Sequence, residues 1–383
     1  MKLADLLGQK PKYDRALLLA TLLLLGIGVI FVSSASVMEA GMRFGDSFLF
    51  LKKQLIAIGI AVFVGVFFAA VPSDIWKRSA AYVLGVGIFS LILVLLIGKE
   101  VNEAKRWISL GFMNVQPVEF VKLAWVIYLA SYTSRKIAEV RHQLKGFIKP
   151  WLLILILSPL LLMQPDFGSL AVITGIAVGV LFAAGAGLLK YIVTVGLVGI
   201  SGALLTWLEP YRMRRVTSFL DPWQDPFGSG YQLTQSLMAF GRGGVFGEGL
   251  GNSIQKLGYL PEAHTDFVTA ILGEETGFVG MCTLIAIELF IVCKAIRLSF
   301  AILRRDALFQ GFVPFGIATW FFGQIFVNIG AAAGMLPTKG LTLPLVSYGG
   351  SSLMFCCAAI GILLRIDYEY RTGQISFVKK PIV

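Results

Sequence analysis

Apolar residues along the 383-residue chain fall into long runs, and the polar residues gather in short segments between them. A membrane-crossing helix needs about 20 mainly apolar residues. Runs of that kind lie at 16–32, 54–71, 79–98, 117–132, 150–163, 167–187, 190–208, 267–293, 308–334 and 343–364. The fifth is short and holds Pro159, which predicts a kinked or tilted helix. The sixth and seventh are one apolar stretch interrupted only at Gly185-Ala186-Gly187 and Lys190, where a tight turn fits. The pattern predicts an all-α polytopic membrane protein. One membrane domain covers 1–383, with about ten transmembrane helices and a long extracytoplasmic loop, 209–266, between helices seven and eight.

That loop holds Pro210, Pro222, Pro226 and Pro261 and a glycine-rich core, GRGGVFGEGLG, from Gly241 to Gly251. Connections of such length are usually functional. The glycines are not a dinucleotide fingerprint, because no strand precedes them and no βαβ unit is available. The amphipathic piece YQLTQSLMAFG, Tyr231 to Gly241, predicts a helix lying along the membrane surface.

Composition agrees with the runs. Hydrophobic residues make up 57% of the chain and charged residues 14%, well below the roughly 25% of soluble domains. The net charge of +11 would suggest a nucleic-acid partner in a soluble protein. Here the basic residues sit in short segments between apolar runs and act as topology signals, so no nucleic acid is expected. With the N-terminus inside, most of the 33 Lys and Arg fall on the inner side, which places both chain ends in the cytoplasm. The run 16–32 ends in Ser33-Ser34-Ala35-Ser36, which resembles a cleavage site, but it exceeds the 7 to 15 residues of a signal h-region and is taken as a retained first span. Cys282, Cys293, Cys356 and Cys357 lie in apolar runs without metal-site spacing and read as small buried hydrophobes. His142 and His264 are too few and too far apart to found a zinc site.

Ionisable residues within spans cost several kcal/mol and are functional candidates by default. In QPVEFVK, Gln116 to Lys122, Glu119 and Lys122 share a helical face. They form either an ion pair that orients the helix or a cation offered to an anionic head group. In QPDFG, Asp166 either caps the next helix or faces the same outer cavity. Outside the membrane, EPYRMRR with Arg212, and further on Arg242, Lys256 and Lys339, is either a solvated surface or a set of phosphate-binding cations. The stretch YLPEAHTDFVTAILGEE, Tyr259 to Glu275, places Asp266 at the outer mouth of span eight, with Glu274 and Glu275 roughly 12 Å deeper at 1.5 Å per helical residue. Thr265 or Asp266 could cap that helix, and the glutamates could be interhelical hydrogen-bonding groups.

AKRW (Ala104 to Trp107), QPVEFVKL, QPDFG, PEAHTDF (Pro261 to Phe267), GEE (Gly273 to Glu275) and GMLPTKGLTLPLVSYGGSS (Gly334 to Ser352), in this order between ten spans, resemble the SEDS family of bacterial membrane glycosyltransferases. SLMAFGRGG, KLGYLPEAHTDF and LPTKGLTLPLVSYGGSS look more like the division-type member than the elongation-type one. The resemblance implies an acidic residue at position 258, where this chain has Gly258.

The resemblance implies a polymerase of peptidoglycan glycan strands in the bacterial cytoplasmic membrane, at the division septum, with lipid II as substrate. It implies Asp266 as the catalytic aspartate and Arg106, Glu119, Lys122, Asp166, Arg212, Arg242 and Lys339 as substrate-binding residues. No tightly bound cofactor is expected, though a divalent cation, Mg or Mn, could assist the diphosphate. SYGGSS lacks an SxxK acylation motif, so crosslinking implies a partner transpeptidase, a class B penicillin-binding protein docked through spans eight and nine, with other divisome membrane proteins. A lipid II flippase and a non-catalytic scaffold are the competing readings. The first would spread its essential charges through the membrane depth, and the second would not need Asp266.

Overall fold

The computed structural model describes residues 13–375 apart from 102–103, 110, 112–113 and 338–339, and gives only the backbone for Val101, Pro210, Tyr211 and Arg212. Every predicted span is a helix. They are α1 (Arg15–Phe44), α2 (Leu49–Ala70), α3 (Ser73–Ile97), α4 (Pro117–Arg135), α6 (Leu144–Leu162), α7 (Phe167–Ala183), α8 (Leu188–Trp207), α11 (Val268–Leu303), α12 (Leu308–Ala332) and α13 (Gly350–Arg371). Among the described residues, 8 of these are long and apolar enough to cross a membrane. The other two are α7, at 17 residues, and α4, which carries Glu119 and Lys122.

Local sequence sets the ends. Asp14 caps α1 by accepting hydrogen bonds from Ala16 N (2.9 Å) and Leu17 N (3.1 Å), and Gly45 closes it with φ 71°. The helix runs unbroken through Ser33–Ser36. Gly185, at φ 81°, makes the turn between α7 and α8. The last span begins seven residues later than the apolar run suggests. Leu343 to Gly349 is a buried irregular strap, held out of the helix by Pro344 and by Leu345 at φ 61°. Irregular backbone is tolerated at this depth because protein encloses it.

A small sheet departs from the all-α expectation. Between α3 and α4, strands β1 (Lys99–Val101), β2 (Ala104–Ser109) and β3 (Asn114–Val115) pair antiparallel, with Glu100 opposite Lys105 and Ser109 opposite Asn114. Strands of two to six residues are too short for a two-residue period to stand out in the sequence.

Lipid tails are as apolar as leucine, so the bundle is held by close packing and interhelical hydrogen bonds. Helix α4 lies at the centre, nearly all of it buried, against α3, α7 and α12, while α11 packs on α12 and α13 on α2. The α2–α13 crossing is close: a side-chain carbon on Gly361 would collide with the carbonyl of Gly65. Trp125, Trp320, Phe309, Phe312 and Phe321 are the largest fully buried apolar side chains. Helix α8 buries none of its residues.

At one end of the bundle, Asp14 pairs with Lys294 (2.8 Å) and with Arg371 (3.5 Å), so the two described chain ends lie together. Because α11 runs from Val268 towards Lys294, Asp266 stands at the other end.

The 209–266 loop contains α9 (Pro210–Leu220), α10 (Tyr231–Gly243) and a 3-10 turn, Gln255–Leu257. The remaining short helix, α5 (Ile137–His142), links α4 to α6. Helix α10 forms where predicted and packs against α11 and α12. Its Leu233, Thr234, Gln235, Ser236 and Ala239 are buried, and Ser236 Oγ donates to Ala332 O (2.7 Å).

Candidate active site

Asp266 closes the loop's descent. The turn before it is drawn tight by Thr265 N and Phe267 N, which donate to Glu262 O at 3.2 and 3.3 Å. Leu260, Ala263 and Phe267 anchor it in a small apolar cluster with Ala35, Ala239, Ala270, Ile271 and Ala332. Neither Thr265 nor Asp266 caps α11: the cap position is Phe267, without a side-chain hydrogen bond. Thr265 Oγ1 instead donates to Glu262 Oε2 (2.8 Å).

The carboxylate of Asp266 is therefore not spent on the helix end, and among the described residues no donor hydrogen-bonds to it. It keeps some surface but is enclosed on most sides, with Oδ2 2.9 Å from where a side-chain carbon on Gly340 would stand. Desolvation, with the nearby charge of Glu262, raises its pKa from 3.8 to about 7, against the pull of Arg106, Arg215 and His264.

Arg106 projects from β2. Its Nε donates to Gln164 O (2.7 Å) and its Nη2 to Pro165 O (2.8 Å), tying the sheet to the QPDFG turn. Within that turn Asp166 is the helix cap, accepting from Ser169 N (3.0 Å) at the start of α7. Arg215, on α9, completes the cationic side of the site. Arg215 belongs to the EPYRMRR run of candidate cations, but the substrate-binding residue expected there is Arg212, three residues earlier. One helical turn separates the two, so the helix of PYRMRR was the signal that could have found it. The side chain of Arg212 and the whole of Lys339 lie outside the described residues.

Glu119 and Lys122 are brought together but not to Asp266. Lys122 Nζ lies 2.7 Å from Glu119 Oε1, with the lysine side chain fully buried. It also reaches Gln324 Oε1 (3.3 Å) and sits over the Trp320 ring, so it offers no cation to a head group from this position. Arg242 is likewise engaged, with Glu274 (2.9 Å) and Glu248 (3.6 Å).

Glu274 and Glu275 bind the loop down. Glu274 accepts from Ser253 Oγ, Ile254 N (3.0 Å), Gln255 N (3.2 Å) and Arg242; Glu275 accepts from Ser34 Oγ (2.7 Å) and Lys256 Nζ (2.9 Å). The backbone helps. α11 breaks at Gly277 (φ 66°), and Glu248 N and Gly249 N donate to Glu274 O and Glu275 O, each at 3.0 Å. A side-chain carbon on Gly277 would stand 2.6 Å from Val245 O and 2.7 Å from Phe246 N. Gly277→Ala is therefore expected to cost about 1–3 kcal/mol for the positive-φ backbone alone, with local displacement added. Faster proteolysis of 244–250 would register it, and an unchanged cleavage rate would show the segment is not held there.

Comparison with known proteins agrees with this architecture. A family model described as "Cell cycle protein", whose label names FtsW, RodA and SpoVE, matches residues 15–372. The chain belongs to this SEDS family. A relative from Tolumonas auensis named "Probable peptidoglycan glycosyltransferase FtsW" is 52% identical over 370 residues, 96% of this chain and 95% of that one. A protein of the same name from Escherichia coli O6:H1 is 51% identical, covering 96% and 89%. Among solved structures, a chain from "a peptidoglycan synthase complex" superposes with a TM-score of 0.76 at 29% identity, covering 93% of this chain and 98% of that one. The rod shape determining protein RodA of Thermus thermophilus superposes at 0.69 with 28% identity, covering 93% and 97%.

In this SEDS chain the end of the bundle opposite the described chain ends gathers one uncommitted carboxylate, two arginines and a histidine, an arrangement suited to taking a proton beside a bound anion. Among the described residues no three His, Cys, Asp or Glu side chains come together to hold a metal ion. Asp266 and Glu262 are the carboxylates present, so a Mg or Mn ion would draw most of its oxygens from a diphosphate and water. That donor set fits an ion carried with substrate. A cavity of about 440 Å³ at the opposite end, lined by Ser73, Lys77, Arg365 and Glu369, is remote from this cluster.

Proposed function

We propose that the chain is a peptidoglycan glycosyltransferase that polymerises lipid II into β-1,4 glycan strands at the outer face of the cytoplasmic membrane during septal synthesis. The acceptor's 4-hydroxyl attacks the anomeric carbon of the donor sugar with inversion. Its proton passes to Asp266 as the new C–O bond forms, and undecaprenyl diphosphate leaves with the electron pair of the broken bond. Diphosphate is a good leaving group and asks for no protonating acid, so one carboxylate suffices, unlike the pair in glycosidases. Arg106 and Arg215 stand where they can stabilise the diphosphate as charge develops.

The observation that carries this reading is the carboxylate of Asp266. It faces two arginines and accepts no described hydrogen bond, while Glu274 and Glu275 are committed to the loop. The excess of Lys and Arg on one side supports a cytoplasmic location for both termini, and the described chain ends, at Asp14 and Arg371, lie at the end away from Asp266. Crosslinking is assigned to a class B penicillin-binding protein in the same assembly, in keeping with the synthase complex that holds a structural relative, alongside other divisome membrane proteins. The test is an assay of purified protein on lipid II, with and without the transpeptidase, reading strand length on a gel; absence of polymer in both would overturn the proposal.

A second reading, lipid II flipping, draws on charge inside the bundle: the Glu119–Lys122 pair and Glu288, whose two oxygens are buried without partners. Liposomes loaded with labelled lipid II separate the two, because a flippase moves the lipid without making polymer.

The pH dependence follows from the enclosure of Asp266. A general base works as the carboxylate, so with its pKa near 7 the rate rises with pH through about 7, far above the usual aspartate range. Arg106→Ala removes one of the charges that lower this pKa, and the acid limb is expected to move to higher pH. A rate flat from pH 5 to 8 would exclude Asp266 as the titrating base.

A further inference from the structure

A row of polar side chains on α12 reaches the candidate base from behind. Trp320, Gln324 and Asn328 are spaced four residues apart on one buried face, in a helix otherwise rich in apolar residues. Asn328 is 1% exposed. Its Nδ2 donates to Asp266 O (2.9 Å) and to Leu341 O (2.6 Å). One amide nitrogen has two hydrogens, and both are used on carbonyls from two separate segments.

The second of those segments, 340–342, extends the strap that leads into α13 at its N-terminal side, and its Gly340 lies against the carboxylate oxygen of Asp266. One turn back, Gln324 Nε2 donates to Thr342 O (2.8 Å), fastening the same strap one residue further on. Gln324 Oε1 accepts from Trp320 Nε1 (2.7 Å) and from Lys122. The Glu119–Lys122 pair, though remote from the reaction, is thereby part of the frame that sets the distance between the strap and Asp266.

We propose that Asn328 is a positioning residue for the transfer reaction, cross-linking the backbones of Asp266 and Leu341 so that the carboxylate is held against Gly340, with Gln324 securing the same strap. The inference rests on the reading of Asp266 as the base. Two features favour positioning over mere packing. Asp266 O and Leu341 O belong to irregular segments in which no other donor to them is described, and Asn328 Oδ1 is buried without a partner, a cost that a residue selected for packing alone would not carry.

The experiment compares full-length wild type, Asn328→Leu and Asn328→Ser in polymerisation from lipid II across pH 5 to 9, with folded fraction followed by thermal unfolding in detergent. Leucine keeps the volume and removes both donors; serine keeps one donor and is the gentler variant should leucine fail to fold. The expected result is a fall in kcat of at least about ten-fold at unchanged KM for lipid II, with the acid limb displaced to lower pH as the loosened carboxylate gains water.

Wild-type kcat, a rise in KM alone, or a loss of rate matched by loss of folded protein with the limb unmoved would each overturn the assignment. Asp266→Asn is run alongside. If it polymerises normally, the base reading fails; if it is inactive while Asn328→Leu is normal, only the positioning role fails.

Discussion

Replacing Asp266 by asparagine is expected to lower strand synthesis from lipid II by about 10²–10⁴-fold, the span a positioned general base contributes. At 1.36 kcal/mol per decade this is about 3–5 kcal/mol of transition-state stabilisation. The change is nearly isosteric and no described donor hydrogen-bonds to the carboxylate, so no partner is orphaned and the fold should survive. Stability should even rise slightly at neutral pH, because folding no longer has to desolvate a carboxylate whose pKa it raises. Lipid II should still bind through the arginines. Asp266→Glu keeps the charge but moves it by one methylene, and an intermediate rate is expected because proton transfer depends on reach. Activity of Asp266→Asn close to wild type in purified protein would sink the assignment.

How far the sequence foretells this site depends on which physical signal each part carries. Ten apolar runs suffice for ten helices because the bilayer sets their length, whatever packs around them. The same criterion misplaces the last helix, since LTLPLVSYGG is apolar enough to look like a span, while Pro344 and the left-handed Leu345 keep it irregular. The sheet that carries Arg106 was hidden by the brevity of its strands.

Asp266 was legible by position, at the junction of loop and span, and its role came from the family resemblance. The purpose of Glu274 and Glu275 was not legible, because their partners arrive from elsewhere: Ser34 from α1, and Arg242, Ser253 and Lys256 from the loop. Depth in a span marks such carboxylates as unusual, but only the folded loop shows that they hold it down. Arg242 was read as a phosphate-binding candidate for the same reason; its charge is visible in the sequence and its engagement with Glu274 is not.

Glu119 and Lys122 present the opposite case, a pair whose proximity the i, i+3 spacing predicts and whose consequence burial decides. Both are enclosed among α4, α12 and α13, so removing one partner leaves a charge without compensation. Lys122→Met is expected to destabilise the protein by about 3–5 kcal/mol, the usual cost of breaking a buried pair from one side. Glu119→Gln with Lys122→Met removes both charges and should recover most of that loss, since a buried pair gains little over well-packed neutral groups of similar size. Thermal unfolding of the two single variants and the double variant in detergent closes the cycle, and its coupling energy isolates the pair. The same proteins decide between an ion pair and an anion site. If Lys122 bound the lipid diphosphate, the double variant would be stable but its KM for lipid II would rise steeply. If the pair only supports Gln324 and the strap behind Asp266, the double variant keeps its KM, and what falls is kcat, to the extent that Gln324 loses the lysine that holds it.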